Sequence, residues 1–220
     1  MLFEELIVHY DYAPVSAAMN MAIDEALLEQ ATLPALRFYG WRQPSLSFGY
    51  FSKFAEIAAE ADDRELVRRW TGGGTVPHGE DLTYSLVTPA TEAAAALGPN
   101  TIYAALHVAI RDALREERKT AQLAPEAAPK ISEACFANPV RNDVLLDGRK
   151  IAGGAQRRTR GGLLHQGSIQ LPDLSESFRN RFAGALGRKI VEAALSPQVL
   201  ARAAALAGEK YGTEAWLRRW

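Results

Sequence analysis

The sequence predicts an α+β fold built around a mixed, largely antiparallel β-sheet flanked by helices. Short alternating segments bounded by Gly, Pro or Asp-Gly are typical of strands joined by tight turns. Longer segments between them carry apolar residues at helical spacing. Hydrophobic residues make up 48% and charged residues 23% of the chain, which is the balance of an ordinary globular protein. Hairpin strands with helices between them favour the α+β class.

The first half of the chain predicts one long helix and several short strands. The helix begins after Ser16, a reasonable N-cap, and places Asp24, Glu25 and Glu29 on faces other than its apolar one. Its apolar positions are Met19, Ile23, Ala26 and Leu27. The elements that follow are strands over 36–39 and 45–49, a short helix over 53–61, and strands over 66–69 and 82–87.

The second half predicts a helix, two strand-turn-strand units and a C-terminal helical segment. Residues 89–99 predict an ordered connection or partial helix, and residues 121–130 predict a loop. Asn100 or Thr101 caps an amphipathic helix that runs to about Arg115. The remaining elements are a hairpin of strands 143–146 and 150–152 around the type I′ turn signal Asp147-Gly148, a turn at Gly161-Gly162 before a strand over 163–171, and a mostly helical segment after Pro172.

Composition and pattern exclude several classes of protein. Lys and Arg total 25 against 26 Asp and Glu, so no overall basic field favours nucleic acid as a partner. The single Cys cannot form an internal disulfide, which favours a reducing compartment, and the four histidines lack metal-ligand spacing. No apolar run approaches the ~18 residues of a membrane span, and the acidic start MLFEEL is unlike a signal peptide. We therefore expect a single domain over 1–220, in the cytoplasm and without a membrane partner.

A glycine loop follows the strand over 66–69, in the run RRWTGGGTVPH from Arg68 to His78. Three consecutive glycines, Gly72 to Gly74, let backbone amides approach a ligand with no Cβ in the way. The adjacent Arg69 suits an anionic group such as a phosphate or a carboxylate. The alternative interpretation is a flexible surface turn.

A second segment, DGRKIAGGAQRR over 147–158, has almost no side-chain volume between residues 152 and 155. A strand of such small residues leaves space beside it where an apolar chain could lie, and Lys150 opens that strand. The surrounding segment is basic, which is typical of a solvated face or of a docking face. Its basic residues are Arg141, Arg149, Lys150, Arg157, Arg158 and Arg160, against Asp143 and Asp147.

Cys135 is the candidate for thiol chemistry. A lone Cys is most often an inert core residue, but this one lies in a loop shortly before Pro139. Cations such as Lys150 would favour its thiolate if they were close, and a thiolate can accept an acyl group. The sequence leaves the distance between Cys135 and Lys150 open.

Together these segments resemble the lipoate–protein ligase and octanoyltransferase family, which shares its fold with the biotin protein ligases. The resemblance covers roughly residues 5–175, and about 176–220 form the predicted helical segment of the same domain. The motifs, in the family's order, are NMAIDEAL (20–27), LRFY (36–39) with PSLSFGY (44–50), RRxTGGG (68–74) through His78 with LTYS (82–85), and GRKIAGxAQ (148–156) through Gly167-Ser168.

This resemblance implies a mixed sheet flanked by helices and a pocket for an octanoyl or lipoyl chain. It implies that Lys150 touches the acyl carbonyl. The acceptor would be a lysine on a lipoyl carrier domain, such as the glycine cleavage H protein or a subunit of a 2-oxoacid dehydrogenase. The residues expected to bind substrate are Tyr39, Arg69, Gly72, Gly73, Gly74, His78, Gly153, Ala155 and Gly167.

Two chemistries compete within this family. Ligases activate free lipoate with ATP and Mg²⁺ as an acyl-adenylate, whereas octanoyltransferases of the LipM type take octanoate from acyl carrier protein onto a cysteine without ATP. The run ACFxxP from Ala134 to Pro139 is similar to the nucleophile segment of the second group. Only about fifty residues follow the last motif, whereas many ligases carry an additional C-terminal domain. Against the transferase, Arg141-Asn142-Asp143 is similar to the ligase pattern, and His165 departs from relatives in which His directly precedes Gly.

We therefore expect an acyltransferase of protein lipoylation. Cys135 would be the nucleophile, and Lys150 with the amides of the Gly72–Gly74 loop would polarise the thioester carbonyl. Acyl carrier protein would be the donor, and the arginines at 141, 149, 157, 158 and 160 would dock the acidic donor and acceptor. An ATP-dependent lipoate ligase is one alternative, and a non-catalytic module that binds acylated carrier domains is another. A biotin ligase is disfavoured, because the loop lacks the Gly-Arg-Gly-Arg pattern of that group.

Overall fold

The computed structural model describes residues 1–59, 61–127, 136 and 138–219. Within them the chain forms an eight-stranded sheet, a three-stranded sheet and six α-helices. The strands are β1 (Phe3–Val15), β2 (Ala35–Trp41), β3 (Ser45–Phe48), β4 (Glu65–Arg68), β5 (Val76–His78), β6 (Leu82–Pro89), β7 (Gln122–Leu123), β8 (Val144–Leu146), β9 (Arg149–Thr159), β10 (Gly162–Ile169) and β11 (Gly187–Glu192). The helices are α1 (Ala17–Gln30), α2 (Phe54–Ala58), α3 (Pro99–Glu116), α4 (Glu176–Leu186), α5 (Pro197–Leu206) and α6 (Glu214–Leu217).

The two sheets contain both parallel and antiparallel pairs. The large sheet has the order β11-β1-β2-β6-β10-β9-β8-β7. In it β1 is parallel to β11 and to β2, and the remaining pairs are antiparallel. The small sheet places β3 between β4, to which it is parallel, and β5, to which it is antiparallel. The predicted α+β fold with a mixed, largely antiparallel sheet is confirmed.

Helices cover both faces of the large sheet. Alternate residues of a strand point to opposite faces, and β2 shows the division. Its Leu36 and Phe38 join a core cluster with α3 and α4, whereas Ala35 and Trp41 join a second cluster with α1 and α5. The strands near the middle of the sheet are therefore buried on both sides.

The first helix forms as predicted but buries more polar residues than expected. Ser16 caps α1, and its hydroxyl accepts a hydrogen bond from the Met19 N–H (3.3 Å). Asp24 and Glu25, predicted on faces other than the apolar one, are 0% and 6% exposed. The reason for Asp24 is an ion pair with Arg37 on β2, whose Nη1 lies 3.0 Å from Asp24 Oδ1. A buried charge is tolerated only when it is paired and hydrogen-bonded, and this pair meets that condition.

The other predicted helices and hairpins are present with small shifts. The helix expected after a cap at Asn100 or Thr101 begins two or three residues earlier as α3, with Gly98 as its N-cap and Pro99 in its first turn. The predicted turn between β8 and β9 has positive φ at both Asp147 (50°) and Gly148 (75°), as a type I′ turn requires. The residues from 93 to 96 form a short 3₁₀ turn. Among the described helices, none combines the length and apolar character needed to cross a bilayer.

Four strands were missed by the sequence prediction, namely β1, β5, β11 and β7, which lies in the predicted loop over 121–130. β1 has no clean alternation, because it lies between two parallel neighbours and both of its faces are covered. β11 falls in the segment expected to be mostly helical, and most of its side chains are exposed. It is a strand because its backbone pairs with β1 in register from Phe3–Gly187 to Val8–Glu192. The segment after Pro172 is mostly helical as predicted, with β11 between α4 and α5.

Candidate functional site

The second of two consecutive arginines supports the glycine loop between β4 and β5. Arg69 Nη1 donates to Ser47 Oγ (2.7 Å), and Arg69 Nη2 donates to the carbonyl oxygens of Gly72 (3.0 Å) and Gly74 (2.8 Å). Gly73, between these two glycines, has a φ of +90°, which would strain a residue with a side chain. In these contacts the guanidinium holds the loop closed rather than meeting an anion.

The first arginine, Arg68, ends β4 just before the loop and ties the segment after β3 to α6. It is fully buried, and its guanidinium donates to the carbonyl oxygens of Tyr50 (2.8 Å), Ser52 (2.7 Å) and Trp216 (3.0 Å). In return, the Trp216 indole N–H donates to the Arg68 carbonyl (3.0 Å). Arg69 therefore holds the glycine loop itself, and Arg68 anchors the end of β4 from which the loop starts.

A cleft lies beside the loop and occupies about 410 Å³ when its open mouth is included. Most of the predicted substrate residues form its walls. These are Tyr39, Arg69, Gly73, His78, Gly153, Ala155 and Gly167. Gly72 and Gly74 belong to the loop but are not part of these walls, and Gly74 borders a separate depression. Wall residues that the sequence reasoning did not single out are Met21, Trp41, Ser47, Val76, Thr83, Gly154, Gln166 and Ser168.

Lys150 is buried next to this cleft. Its side chain is 3% exposed, and Nζ lies 2.8 Å from Asp143 Oδ2. A Cβ added at Gly153 would stand 2.7 Å from Lys150 Cε and 2.9 Å from Nζ, so the ammonium fills the space that this glycine leaves. Gly153 lines the cleft, so the charge lies directly behind a residue of the cleft wall. The predicted nucleophile Cys135 lies outside the described residues. Phe136, which follows Cys135 in the sequence, has its ring 5.4 Å from Lys150 Nζ.

His78 is the centre of a hydrogen-bonded chain in the cleft wall. Its Nε2 lies 2.7 Å from Ser47 Oγ and its Nδ1 lies 2.8 Å from Asp81 Oδ2. The Asp81 carboxylate also accepts from Ser168 Oγ (2.6 Å), and Trp41 stacks on the imidazole with centroids 4.0 Å apart. Burial lowers the pKa of His78, so its ring is neutral and its proton lies on Nδ1, facing Asp81. The spacing His78-x-x-Asp81 was the sequence signal that could have shown this pair.

A second polar cluster closes the cleft from the side of α1. The Asp24 carboxylate accepts hydrogen bonds from Tyr39 OH (3.0 Å) and Gln166 Nε2 (2.8 Å). Gln166 Oε1 in turn accepts from Thr71 Oγ1 (2.8 Å), at the start of the glycine loop. These bonds connect Asp24 to the loop and fix the position of Tyr39 at the cleft wall. No local pattern in the sequence pointed to them.

Two further histidines are fully buried near Lys150. Burial lowers the pKa of His107 on α3 to about 4 and that of His165 on β10 to about 3. Both rings are therefore neutral in the folded protein at neutral pH. In the part of the chain that the structure describes, no three His, Cys, Asp or Glu side chains are grouped to hold a metal ion.

The two buried histidines predict that the protein loses stability in mild acid. Below pH 6.5 the unfolded chain binds protons at both positions, whereas the folded protein does not until about pH 4. The free energy of unfolding should therefore fall as the pH drops below about 6.5, by roughly 1.4 kcal/mol per pH unit for each histidine. Urea unfolding between about pH 7 and pH 5 measures this slope. A His165→Gln variant should give a shallower slope, and an unchanged slope would contradict the assignment.

The basic residues predicted as one face are divided by the structure. Arg141, Arg149 and Arg160 are exposed. The Arg157 guanidinium lies over the rings of Tyr50 and Trp70, with distances of 4.9 and 4.8 Å to the centroids. Arg158 donates to the carbonyl oxygens of Ala95 (2.5 Å) and Leu97. These two arginines therefore make internal contacts that the sequence reasoning did not foresee.

Known sequences match the chain over most of its length. Residues 16–192 match the lipoyl protein ligase A/B catalytic domain family. Octanoyltransferase LipM of Geobacillus kaustophilus is 41% identical over 180 residues, which cover 73% of this chain and 63% of that protein. Octanoyltransferase LipM of Bacillus subtilis is 37% identical over 185 residues, which cover 76% of this chain and 65% of that protein. The chain thus spans less than two thirds of the length of these relatives.

Solved structures share the fold. A lipoate-protein ligase A bound with ATP has a TM-score of 0.74 at 21% identity, covering 99% of each chain. A bi-partite lipoate protein ligase from Thermoplasma acidophilum has a TM-score of 0.72 at 20% identity, covering 100% of this chain and 98% of that one. At this identity the likeness shows the fold alone. With the sequence matches, it places the chain in the lipoyl protein ligase A/B catalytic domain family.

Proposed function

We propose that the protein is an acyltransferase of protein lipoylation, which moves an octanoyl or lipoyl group to a lysine of a lipoyl carrier domain. The observation that carries this proposal is the buried Lys150 ammonium, which fills the space beside Gly153, while Gly153, Gly154 and Ala155 line the cleft. The relatives named octanoyltransferase support octanoyl as the group transferred.

The cleft suits a short fatty chain for a simple reason. Its glycines, alanine, methionine and aromatic rings offer apolar surface with few projecting side chains. Burial of each methylene contributes about 0.8 kcal/mol, so an octanoyl tail gains several kcal/mol by leaving water. The ammonium of Lys150 would hold the carbonyl end, because it is the charged group that lies beside Gly153. The cleft walls would thus hold the tail, and Lys150 beside Gly153 would hold the carbonyl group of the reacting carbon.

The proposed reaction has two transfers at the same carbonyl carbon. In the first, the Cys135 thiolate attacks the thioester of octanoyl–acyl carrier protein, forms a new C–S bond and releases the carrier's thiolate, which takes up a proton. Lys150, with the amides of the Gly72–Gly74 loop, would stabilise the negative charge on the oxygen. In the second, the acceptor lysine's amine attacks the acyl-enzyme, an amide forms, and the Cys135 thiol is regenerated. Both steps start from a thioester, so the transfer needs no nucleotide.

The proposal also includes the docking partners and the cellular compartment. Acidic donor and acceptor proteins would dock on the exposed Arg141, Arg149 and Arg160. The acceptor would be a lipoyl domain of the glycine cleavage H protein or of a 2-oxoacid dehydrogenase subunit. A cytoplasmic setting would keep the single cysteine reduced.

An ATP-dependent lipoate ligase is the second candidate, and one observation favours it. A second cavity of about 990 Å³, its mouth included, meets the cleft at Gly154 and Ala155. Asn100, Arg141 and Asn142 line it and provide polar groups that fit a nucleotide. ATP, with Mg²⁺, would supply the activation of the free acid in that case.

The deciding experiment is intact-mass spectrometry of the protein after mixing with octanoyl–acyl carrier protein in the absence of nucleotide. We expect a covalent adduct of octanoyl size on the wild type and none on Cys135→Ala, because the thiol is the proposed acceptor. A Cys135→Ser variant that still lipoylates a lipoyl domain, only when ATP and Mg²⁺ are added, would instead identify a ligase. Tight binding of acylated carrier domains without any covalent product would identify a binding module.

A further inference from the structure

Two side chains of α3 hold the segment that carries the partner of Lys150. Tyr103 and His107 are one turn apart on the same face of the helix, and their ring centroids lie 4.1 Å apart. We propose that Tyr103 and His107 are positioning residues, which fix Asp143 and through it the place of the Lys150 ammonium at the cleft. The role of Lys150 at the acyl carbonyl rests on the proposed function; the structural coupling does not.

The Asp143 carboxylate is fully buried, and both of its oxygens are engaged. Oδ1 accepts the hydrogen bond that the Tyr103 hydroxyl donates. Oδ2 lies 2.8 Å from Lys150 Nζ and accepts from the Val140 N–H (2.7 Å). Tyr103 therefore binds Oδ1 while Lys150 lies against Oδ2. The contact with Tyr103 prevents rotation of the carboxylate about the Cβ–Cγ bond. Without it, the carboxylate keeps its charge but loses its fixed orientation.

Tyr103 also reaches the strand that lines the cleft. The Gly154 N–H donates to the Tyr103 hydroxyl oxygen at 3.3 Å. Burial, followed by the charge of Asp143, raises the pKa of Tyr103, so the hydroxyl keeps its proton and can donate it to Asp143. One hydroxyl thus joins the backbone of β9 to the carboxylate that pairs with Lys150. This geometry fixes the distance between the cleft wall and the ion pair.

His107 fixes the backbone just before Asp143. Its Nδ1 lies 2.7 Å from the Asn142 carbonyl oxygen, and a carbonyl only accepts, so Nδ1 carries the proton. Asn142 has a φ of +71°, a left-handed conformation that Asn tolerates better than most residues. The histidine is fully buried, and its bond is one of the contacts that hold this turn. Loss of the bond would let the turn, and Asp143 with it, shift away from Lys150.

The kinetic test compares variants that remove one donor each. We expect Tyr103→Phe and His107→Leu to lower kcat for octanoyl transfer roughly tenfold, because each removes one hydrogen bond in the chain that orients a charged group. KM for octanoyl–acyl carrier protein should change by less than about twofold, since neither residue is proposed to bind the tail. His107→Asn keeps an N–H near the position of Nδ1 and should restore most of the lost kcat.

A matched control is available on α1, outside the contacts of Tyr103 and His107. Tyr211 OH donates to Glu25 Oε2, so Tyr211→Phe also removes a buried tyrosine hydroxyl from a carboxylate. That variant should leave kcat near the wild-type value. A kcat loss in Tyr211→Phe as large as in Tyr103→Phe would show a general effect of destabilisation and would overturn the inference.

A double-mutant cycle in urea tests the coupling without any enzymatic assay. The unfolding equilibrium constants of Tyr103→Phe, Lys150→Met and the double variant should be non-additive by at least about twofold, whereas Tyr211→Phe with Lys150→Met should be additive. Additivity of Tyr103 with Lys150 would overturn the inference. If the protein transfers no octanoyl group yet the cycle shows coupling, the proposed function fails and the positioning of Lys150 stands.

Discussion

Replacing Lys150 by methionine should abolish octanoyl transfer and also destabilise the fold. The catalytic loss is expected because a preorganised cation at a developing oxyanion is typically worth about 10²–10³ in rate. The stability loss is expected because Asp143, which is 0% exposed, would lose the ammonium that lies 2.8 Å from its Oδ2. Removal of one partner of a buried ion pair costs roughly 3–5 kcal/mol. Single-turnover transfer and urea unfolding measure the two effects separately.

A double variant separates the two roles of Lys150. In Lys150→Met with Asp143→Asn, the uncompensated charge is gone, so much of the lost stability should return. Transfer should remain absent, because no cation faces the carbonyl. Recovery of transfer in the double variant would show that Lys150 acts only as a structural counter-ion, and the proposed mechanism would have to be abandoned.

Replacing Gly49 by alanine should displace the glycine loop and remove most of the activity. A Cβ at residue 49 would lie 2.0 Å from the Gly73 carbonyl oxygen and 2.8 Å from the Gly72 carbonyl carbon. These are backbone atoms, and hydrogen bonds from Tyr50 N to Thr71 O (2.8 Å) and from Arg69 N to Phe48 O (2.8 Å) hold the two segments together. The loop must therefore move. Overpacking of this kind costs roughly 1–3 kcal/mol, occasionally more.

The matched control for this substitution is Gly184→Ala. Gly184 lies in α4, and a Cβ there would meet nothing within 4 Å. Alanine should raise stability by about 0.5–1 kcal/mol, since it is the better helix former, and activity should be unchanged. Thermal unfolding and octanoyl transfer can be measured on both variants side by side. Full activity in Gly49→Ala would mean that the loop does not contribute to the site.

Local signals predicted much of the fold. The Asp-Gly turn between β8 and β9 depends on two residues that accept positive φ, and it forms as expected. The first helix follows from its cap and its apolar spacing. These features depend on interactions between near neighbours, which a single sequence displays directly.

Features that depend on distant segments were not predicted. β1 is covered on both faces and therefore lacks an alternating pattern, and β11 is a strand only because β1 supplies its backbone partners. In the site, the glycine loop and Lys150 were visible as local motifs. The bond between Asp24 and Gln166 joins residues 142 positions apart, so nothing near either residue indicates it. The burial of Asp24 on α1 was not predicted, because its partner Arg37 lies on another element and the sequence does not show their contact.

The contact between Arg68 and Trp216 has a consequence for the biosynthesis of the protein. These residues are 148 positions apart, and their mutual hydrogen bonds fasten the end of β4, from which the glycine loop starts, to α6. A nascent chain that has already emerged through β10 contains every wall of the cleft but lacks α6, so the end of β4 has no anchor there. Under the proposed function, acyl binding should therefore arise late in translation, after the residues around 216 have left the ribosome.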